Sequence, residues 1–281
     1  MIRIDPHTHT ACSDGTDTPS GLMFAAQRVG LDVIGLTDHD TFAGWEEAAS
    51  QVVTTGVALM RGVEMSCSSN GITVHLLGYM PDPEDKKLQE LFQSSIDSRA
   101  NRARHMVENL SADYPITWEM VQQFAPTGGP VGRPHIADAL VQVGAFPDRN
   151  AAFAQALHPS SPYYVRYSAP DPVDATVAIR AAGGVPVLAH PRAGRRQRIL
   201  PEDVIAEMAS VGLFGLERDH RDQNEEERAD VDRIANRLGL QETGSSDYHG
   251  TGKPNKLGEN LTSEYVYRAI EEQARLEVLR P

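Results

Sequence analysis

A chain of 281 residues, 40% of them hydrophobic, can bury a large core without staples, as one α/β domain or as a barrel of about 250 residues with an insertion. Its two cysteines, Cys12 and Cys67, argue against a disulfide framework, and with neither an apolar leader at Met1-Ile2-Arg3-Ile4-Asp5 nor a run approaching the roughly 18 residues of a membrane span, a cytoplasmic protein with no membrane partner is expected. A formal charge of −13 speaks against the basic stripe of a stable duplex nucleic-acid binder, but it leaves anionic small molecules open, because bound cations reverse the potential locally.

Ile2-Arg3-Ile4-Asp5 alternates as a strand and runs into His7-Thr8-His9, whose imidazoles share one side if the strand continues. Thr18-Pro19 predicts an N-cap followed by proline in the first helical turn, with a helix to about Val29 that Gly30 ends. A second strand over 32–37 leads to Asp38-His39-Asp40, and an alanine-rich helix is expected near 43–54. Residues 57–65 read as a third strand with Glu64 at its end, and 72–77 as a fourth carrying His75. From 81 to 167 no strand pattern is convincing. Helical patterns near 85–112, after Thr117 and over 133–141 define an inserted helical subdomain, with barrel parts at 1–80 and 168–281 on either side.

The alternation resumes with a helix from Asp171-Pro172 to Ala182 and a buried-type strand over 185–189 that ends at His190-Pro191. A helix near 201–210 leads to a strand ending at Glu217, and a helix near 223–238 places Val231, Ile234, Ala235 and Leu238 on one face. A last strand over 241–243 runs into Gly244-Ser245-Ser246-Asp247-Tyr248-His249-Gly250, and a closing helix occupies roughly 263–279. Seven strands, nearly all separated by helices, give an α/β fold with a parallel barrel or open sheet.

His7, His9, Asp14, His39, Glu64, His75, His190, Asp247 and His249 fall at or just beyond the carboxyl ends of these strands, where barrels build their sites. They include six of the ten histidines. One catalytic zinc usually takes three protein ligands and a water, so this set implies two to three divalent ions. Imidazole and carboxylate without thiolate suit manganese, iron or zinc.

His7-Thr8-His9, Ser13-Asp14-Gly15, Thr37-Asp38-His39-Asp40, Ala189-His190-Pro191 and the 244–250 segment, in that order, resemble the successive motifs of the PHP (polymerase and histidinol phosphatase) family. The resemblance implies a distorted (β/α)7 barrel holding a trinuclear metal site. By position it implies one ion on His7, His9, Glu64 and Asp247, a second reached by Glu64 with His75 and His190, and a third on Asp14, His39 and His249. Many family members, histidinol phosphatases among them, carry histidine where this chain has Asp14. That departure fits a branch resembling nucleotide phosphoesterases.

Closely spaced divalent ions suit hydrolysis of phosphoesters, with a metal-bridging hydroxide, held by Glu64 and the neighbouring ligands, as the expected nucleophile. Ser13 and Cys12 have no evident base. Arg133, at a helix start within Gly132-Arg133-Pro134-His135, is the foremost candidate to bind phosphate, with His135 as its helper; the segment resembles one in the nucleotide-phosphatase branch. Arg192 and His220 are further substrate-binding candidates, and His220 is also a candidate to protonate the leaving group. Asp38 and Asp40 are expected to orient ligands. Tyr163 and Tyr164 could stack on a base, with packing as their default, and His105 and His158 read as ordinary polar residues. A lid with its own anion site suits a substrate with two charged ends. By resemblance that is a nucleoside 3′,5′-bisphosphate yielding AMP or a similar 5′-monophosphate, or a short oligonucleotide. The competing expectations are a histidinol-phosphate or other small-ester phosphatase, and a non-catalytic metal-binding regulatory module.

Overall fold

The computed structural model describes residues 2–281 other than 126–130, 166–168 and 197. The expected boundary between 167 and 168 lies outside the described residues. Two compact units are present, one formed by Met1–Phe92 with Pro170–Pro281, the other by Gln93–Ala169.

The first unit is built on a seven-stranded sheet in sequence order: β1 (Ile4–Thr8), β2 (Val33–Leu36), β3 (Ala58–Ser69), β4 (Ile72–Tyr79), β5 (Val185–Leu188), β6 (Gly215–Asp219) and β7 (Gln241–Gly244). The sheet curls until the segment after β7 meets β1. There the His9 N–H donates to the Tyr248 carbonyl at 2.8 Å, and Thr8 bridges Tyr248 in parallel. Gly35 permits the close approach of β2 to β1, since a Cβ at that position would lie 2.0 Å from the Pro6 carbonyl oxygen.

Helices cover the outer face where the sequence periodicity places them. The α1 helix (Pro19–Arg28) is capped by Thr18 accepting from Gly21 N–H, and Leu22, Met23 and Ala26 pack on Ile34, Leu36 and Leu59. The expected helix near 43–54 is instead two short ones, α2 (Trp45–Ala49) and α3 (Val52–Thr55). Farther on, α8 (Pro172–Ala181), α9 (Glu202–Ser210), α10 (Glu225–Leu238) and α11 (Glu264–Gln273) follow the strands. Ala175, Ile179, Ile205, Met208, Val231 and Ile234 join Val63, Leu76, Leu188 and Leu216 in one apolar cluster.

Three further features differ from the sequence reading. First, β4 runs antiparallel to both β3 and β5. Asn70-Gly71, both with positive φ (48° and 75°), form the two-residue hairpin turn that an Asn-Gly pair favours. The hairpin extends β3 to Ser69, so Glu64 and His75 lie within strands rather than at their ends. Second, the closing helix stops at Gln273; the chain beyond it pairs Leu279 with Leu59, each backbone N–H bonding the other's carbonyl. Third, the unit boundary lies at 92/93 rather than near 81, because Leu88 and Phe92 of α4 (Lys86–Leu110) pack in the first unit's core.

The second unit is helical: the remainder of α4, α5 (Trp118–Gln122), α6 (Arg133–Gln142) and α7 (Arg149–Gln155). Its own core gathers Met106, Leu110, Val121, Ile136, Leu140 and Leu157. Among the described residues, no helix is long and apolar enough to cross a membrane.

Candidate metal centre

Parallel strands that end on one rim deliver their next residues to a common point. His7 comes from β1 and His9 from just beyond it. His39 follows β2, His190 follows β5, and Asp247 and His249 follow β7, while Glu64 and His75 enter from the antiparallel hairpin. Three of these turns carry non-glycine residues at positive φ: Asp40 (52°), His190 (31°) and Asp247 (51°). Such backbone strain collects at functional sites, where the surroundings hold it in place.

Four atoms form a compact array. His7 Nε2 lies 3.1 Å from His9 Nε2, 3.3 Å from Glu64 Oε2 and 3.4 Å from Asp247 Oδ1. His9 Nε2 is in turn 3.1 Å from that Glu64 oxygen and 3.3 Å from that Asp247 oxygen. Atoms bound to one tetrahedral ion at about 2.1 Å stand roughly 3.4 Å apart, so the spacing fits a single divalent cation. The other Glu64 oxygen, Oε1, faces His75 Nδ1 at 2.9 Å and His190 Nε2 at 3.4 Å. Asp14 Oδ1 lies 3.1 Å from His249 Nε2, and Asp14 Oδ2 lies 3.8 Å from His39 Nε2. His39 also turns Nδ1 to Glu64 Oε2 at 3.3 Å, so it touches both neighbouring groups.

All nine sequence-identified residues thus converge in the first unit. Glu64 and His190 are fully buried with no hydrogen bond at either carboxylate oxygen or either ring nitrogen, and Asp247 Oδ1 and His249 Nε2 are buried and unbonded as well. A packed core does not tolerate that many unsatisfied inward-facing polar atoms. Divalent cations would satisfy them.

Electrostatics divides the histidines. Burial alone would lower His7, but Glu217, Glu64 and Asp247 raise it well above an ordinary imidazole. Burial is likewise outweighed at His9, which Asp247 and Glu64 bring up to about 9. Burial pushes His190 down to about 3, with Arg196 adding to it, and it also lowers His39 and His249. Although burial opposes it, the surrounding rings hold the Glu64 and Asp247 carboxyls well below their usual range. His249, His39 and His9 do the same to Asp14 against its desolvation.

Several supporting residues escaped the sequence reading. Glu217, fully buried within β6, accepts from His7 Nδ1 at 2.8 Å, from the His190 backbone N–H at 2.9 Å and from the Ser245 hydroxyl. It thereby aims His7 Nε2 at the cluster and ties three strand ends together. Its place on a strand was visible, although the strand runs on to Asp219; its role was not, since sequence does not reveal which neighbours a buried carboxylate meets. Arg196 and Lys253, from the loops after β5 and β7, reach Asp247 Oδ2 at 2.8 and 3.3 Å. The flanking acids bond neighbouring segments of the chain. Asp38 accepts from Thr10 N–H, Thr10 Oγ1 and Ser13 Oγ, and Asp40 accepts from Ser66 N–H.

Of the remaining candidates, His220 is buried beside the cluster. Its Nδ1 accepts the Asp222 N–H at 3.1 Å, which leaves Nε2 protonated and 3.4 Å from Asp247 Oδ2. Arg192 is not available to a substrate. Its guanidinium is buried, donates to the Leu200 carbonyl and pairs with Asp230 and Glu202. Ser13 spends its hydroxyl on Asp38 at 2.6 Å, and burial raises the Cys12 thiol, so neither is an activated nucleophile. In the helical unit, Arg133 opens α6 with its guanidinium over the Phe153 and Tyr164 rings. His135 caps that helix, its Nδ1 accepting the Gly132 N–H at 3.0 Å. Tyr164 also stacks under Arg102, and Tyr163 donates to Asp113.

A PHP domain profile matches residues 5–126. The chain is 30% identical over 283 residues to a 3′,5′-nucleoside bisphosphate phosphatase of Chromobacterium violaceum, an alignment covering 100% of this chain and 99% of that protein. It is 31% identical to a 5′-3′ exoribonuclease of Haemophilus influenzae, covering 92% and 94% of the two chains. Among solved structures, a metal-dependent phosphoesterase from Bifidobacterium adolescentis superposes with a TM-score of 0.84 at 39% identity, over 97% of this chain and 96% of that one. Similarity of this extent runs through both sequence segments that supply the clustered residues, and the chain therefore belongs to the PHP family of metal-dependent phosphoesterases.

Proposed function

We propose that the protein hydrolyses nucleotide phosphomonoesters, releasing the 3′-phosphate of a nucleoside 3′,5′-bisphosphate to leave a 5′-monophosphate such as AMP, and that short oligonucleotides are also substrates. The observation that carries this reading is the convergence of eight ligand-type side chains in three adjoining groups, with His190 beside Glu64 as a ninth, supported by relatives named for nucleotide and RNA substrates.

His7, His9, Glu64 and Asp247 would hold one divalent ion, and Glu64 with His75 and His190 a second. Asp14, His39 and His249 would hold a third, with manganese, iron or zinc all suited to the donor set. Such ions lower the pKa of bound water and neutralise charge on the phosphoryl oxygens. The chain's own part is to keep His190 neutral, to hold Glu64 and Asp247 ionised, and to fix His7 through Glu217. His220 keeps its proton on Nε2 beside Asp247, where it can steady that carboxylate and donate a hydrogen bond to a departing alkoxide. In the helical unit, Arg133 and His135 supply a guanidinium and an imidazole at a helix start, groups suited to a further phosphate.

The test is a parallel assay of the manganese-loaded protein on adenosine 3′,5′-bisphosphate, AMP and histidinol phosphate. Preference for the bisphosphate is expected. A hundredfold preference for histidinol phosphate would replace this reading with the small-ester one, and no hydrolysis of any ester would overturn it.

A further inference from the structure

We infer that Arg196 and Lys253 form a two-pronged clamp for the phosphoryl group of the substrate, a role that rests on the nucleotide-phosphatase reading above. Asp247 divides its two oxygens between different environments. Oδ1 faces His7 at 3.4 Å, His9 at 3.3 Å and His249 at 3.5 Å. Oδ2 faces Arg196 Nη1 at 2.8 Å, Lys253 Nζ at 3.3 Å and His220 Nε2 at 3.4 Å. Two full cations on one carboxylate oxygen are more than its single charge requires. Both come from outside the cluster: their side chains are 23% and 29% exposed, whereas Asp247 is fully buried.

The charge balance of the loaded site gives them their function. Asp14, Glu64 and Asp247 are the carboxylates of the three groups, Glu217 adds a fourth beside His7, and three divalent ions outweigh all four. An arginine and a lysine beside such a surplus of positive charge repel it unless an anion enters. A phosphoryl group fits: it is multiply charged, and it offers a planar guanidinium two oxygens side by side while an ammonium takes a third. The two residues sit on separate loops, after β5 and after β7, and so approach one group from two directions. Asp222, 3.6 Å from Arg196 Nη1, is a second, more distant partner of the guanidinium.

The experiment titrates manganese-loaded protein with inorganic phosphate by calorimetry, with metal content measured in parallel, for the parent, Arg196→Gln, Lys253→Gln, the double variant and Arg196→Lys. Each glutamine substitution should weaken phosphate binding about tenfold, the value of one lost charge-assisted contact, with metal content unchanged. The double variant should lose more, and Arg196→Lys should recover part. With adenosine 3′,5′-bisphosphate, KM should rise along with the fall in kcat/KM. Phosphate affinity within twofold of the parent in the double variant would overturn the clamp. So would loss of metal from the single variants, which would make both residues counter-charges of Asp247 alone. If the double variant does not fold, Lys253→Gln, at a partly exposed position, decides. A parent that binds phosphate through these residues yet cleaves no nucleotide ester would sink the functional reading and leave the clamp standing.

Discussion

At the scale of single residues, the site consists of buried charges that make sense only together. His9 presents Nε2 to Glu64 and Asp247 and its other nitrogen to Asp14 at 3.7 Å. His9→Ala should therefore lower the metal content by one ion and abolish turnover, as metal analysis and the phosphatase assay would show. Glu217 acts through His7. In Glu217→Gln the carboxylate that fixes the ring is replaced by an amide that can present a donor to it. A loss of about 10–100-fold in metal affinity is expected, measured by competition with a chromophoric chelator, while the chain remains folded. Unchanged affinity would reduce Glu217 to a purely structural tie between strand ends. His9 also fixes a pH dependence. Its folded value of about 9 lies above the 6.5 of an ordinary imidazole, so in the metal-free protein its bound proton contributes stability that is complete below about 6.5 and lost as pH rises through about 9. A metal must displace that proton. Metal affinity should accordingly rise with pH across this window, with proton release detectable by calorimetry in two buffers of different ionisation enthalpy.

At the scale of elements, the strand-then-helix rhythm was legible because apolar periodicity and caps are local. Thr18 before Pro19, Asp171 before Pro172 and Gly30 after Val29 mark helix ends as expected. Strand direction was less legible. A parallel sheet was expected because helices separate nearly all the strands, yet Asn70-Gly71 folds β3 and β4 into a hairpin and brings in Glu64 and His75 by an antiparallel route. The turn dipeptide was present in the sequence as a signal and outweighs the general pattern. The end of α11 was not legible, since its continuation is displaced by pairing of Leu279 with Leu59, a partner far away in sequence. Packing also sets a local limit at β2. Gly35→Ala would drive a methyl into the Pro6 carbonyl and should destabilise the α/β unit by about 1–3 kcal/mol, as overpacked sites do, in a chemical melt of the metal-free protein.

At the scale of the whole molecule, the cluster joins elements from both segments of the α/β unit, residues 1–92 and 170–281. Metal bound there links β1, the β3–β4 hairpin and the ends of β2, β5 and β7. Removing it with a chelator should lower the thermal midpoint measurably, because a ligand bound only to the folded state stabilises that state in proportion to its occupancy. A midpoint unmoved by exhaustive chelation would mean that the buried carboxylates and imidazoles already balance one another without metal. The sequence by itself determined the class of fold and the ligand-type residues, since alternation, helix caps and the placing of His, Asp and Glu after strands are properties of short stretches. Only the tertiary structure decided that Glu217 orients His7, that Arg192 is spent inside the fold, and that Arg196 and Lys253 reach Asp247. Those roles depend on which side chains from distant segments meet at one carboxylate, and that meeting is set by the curl of the sheet rather than by any local pattern.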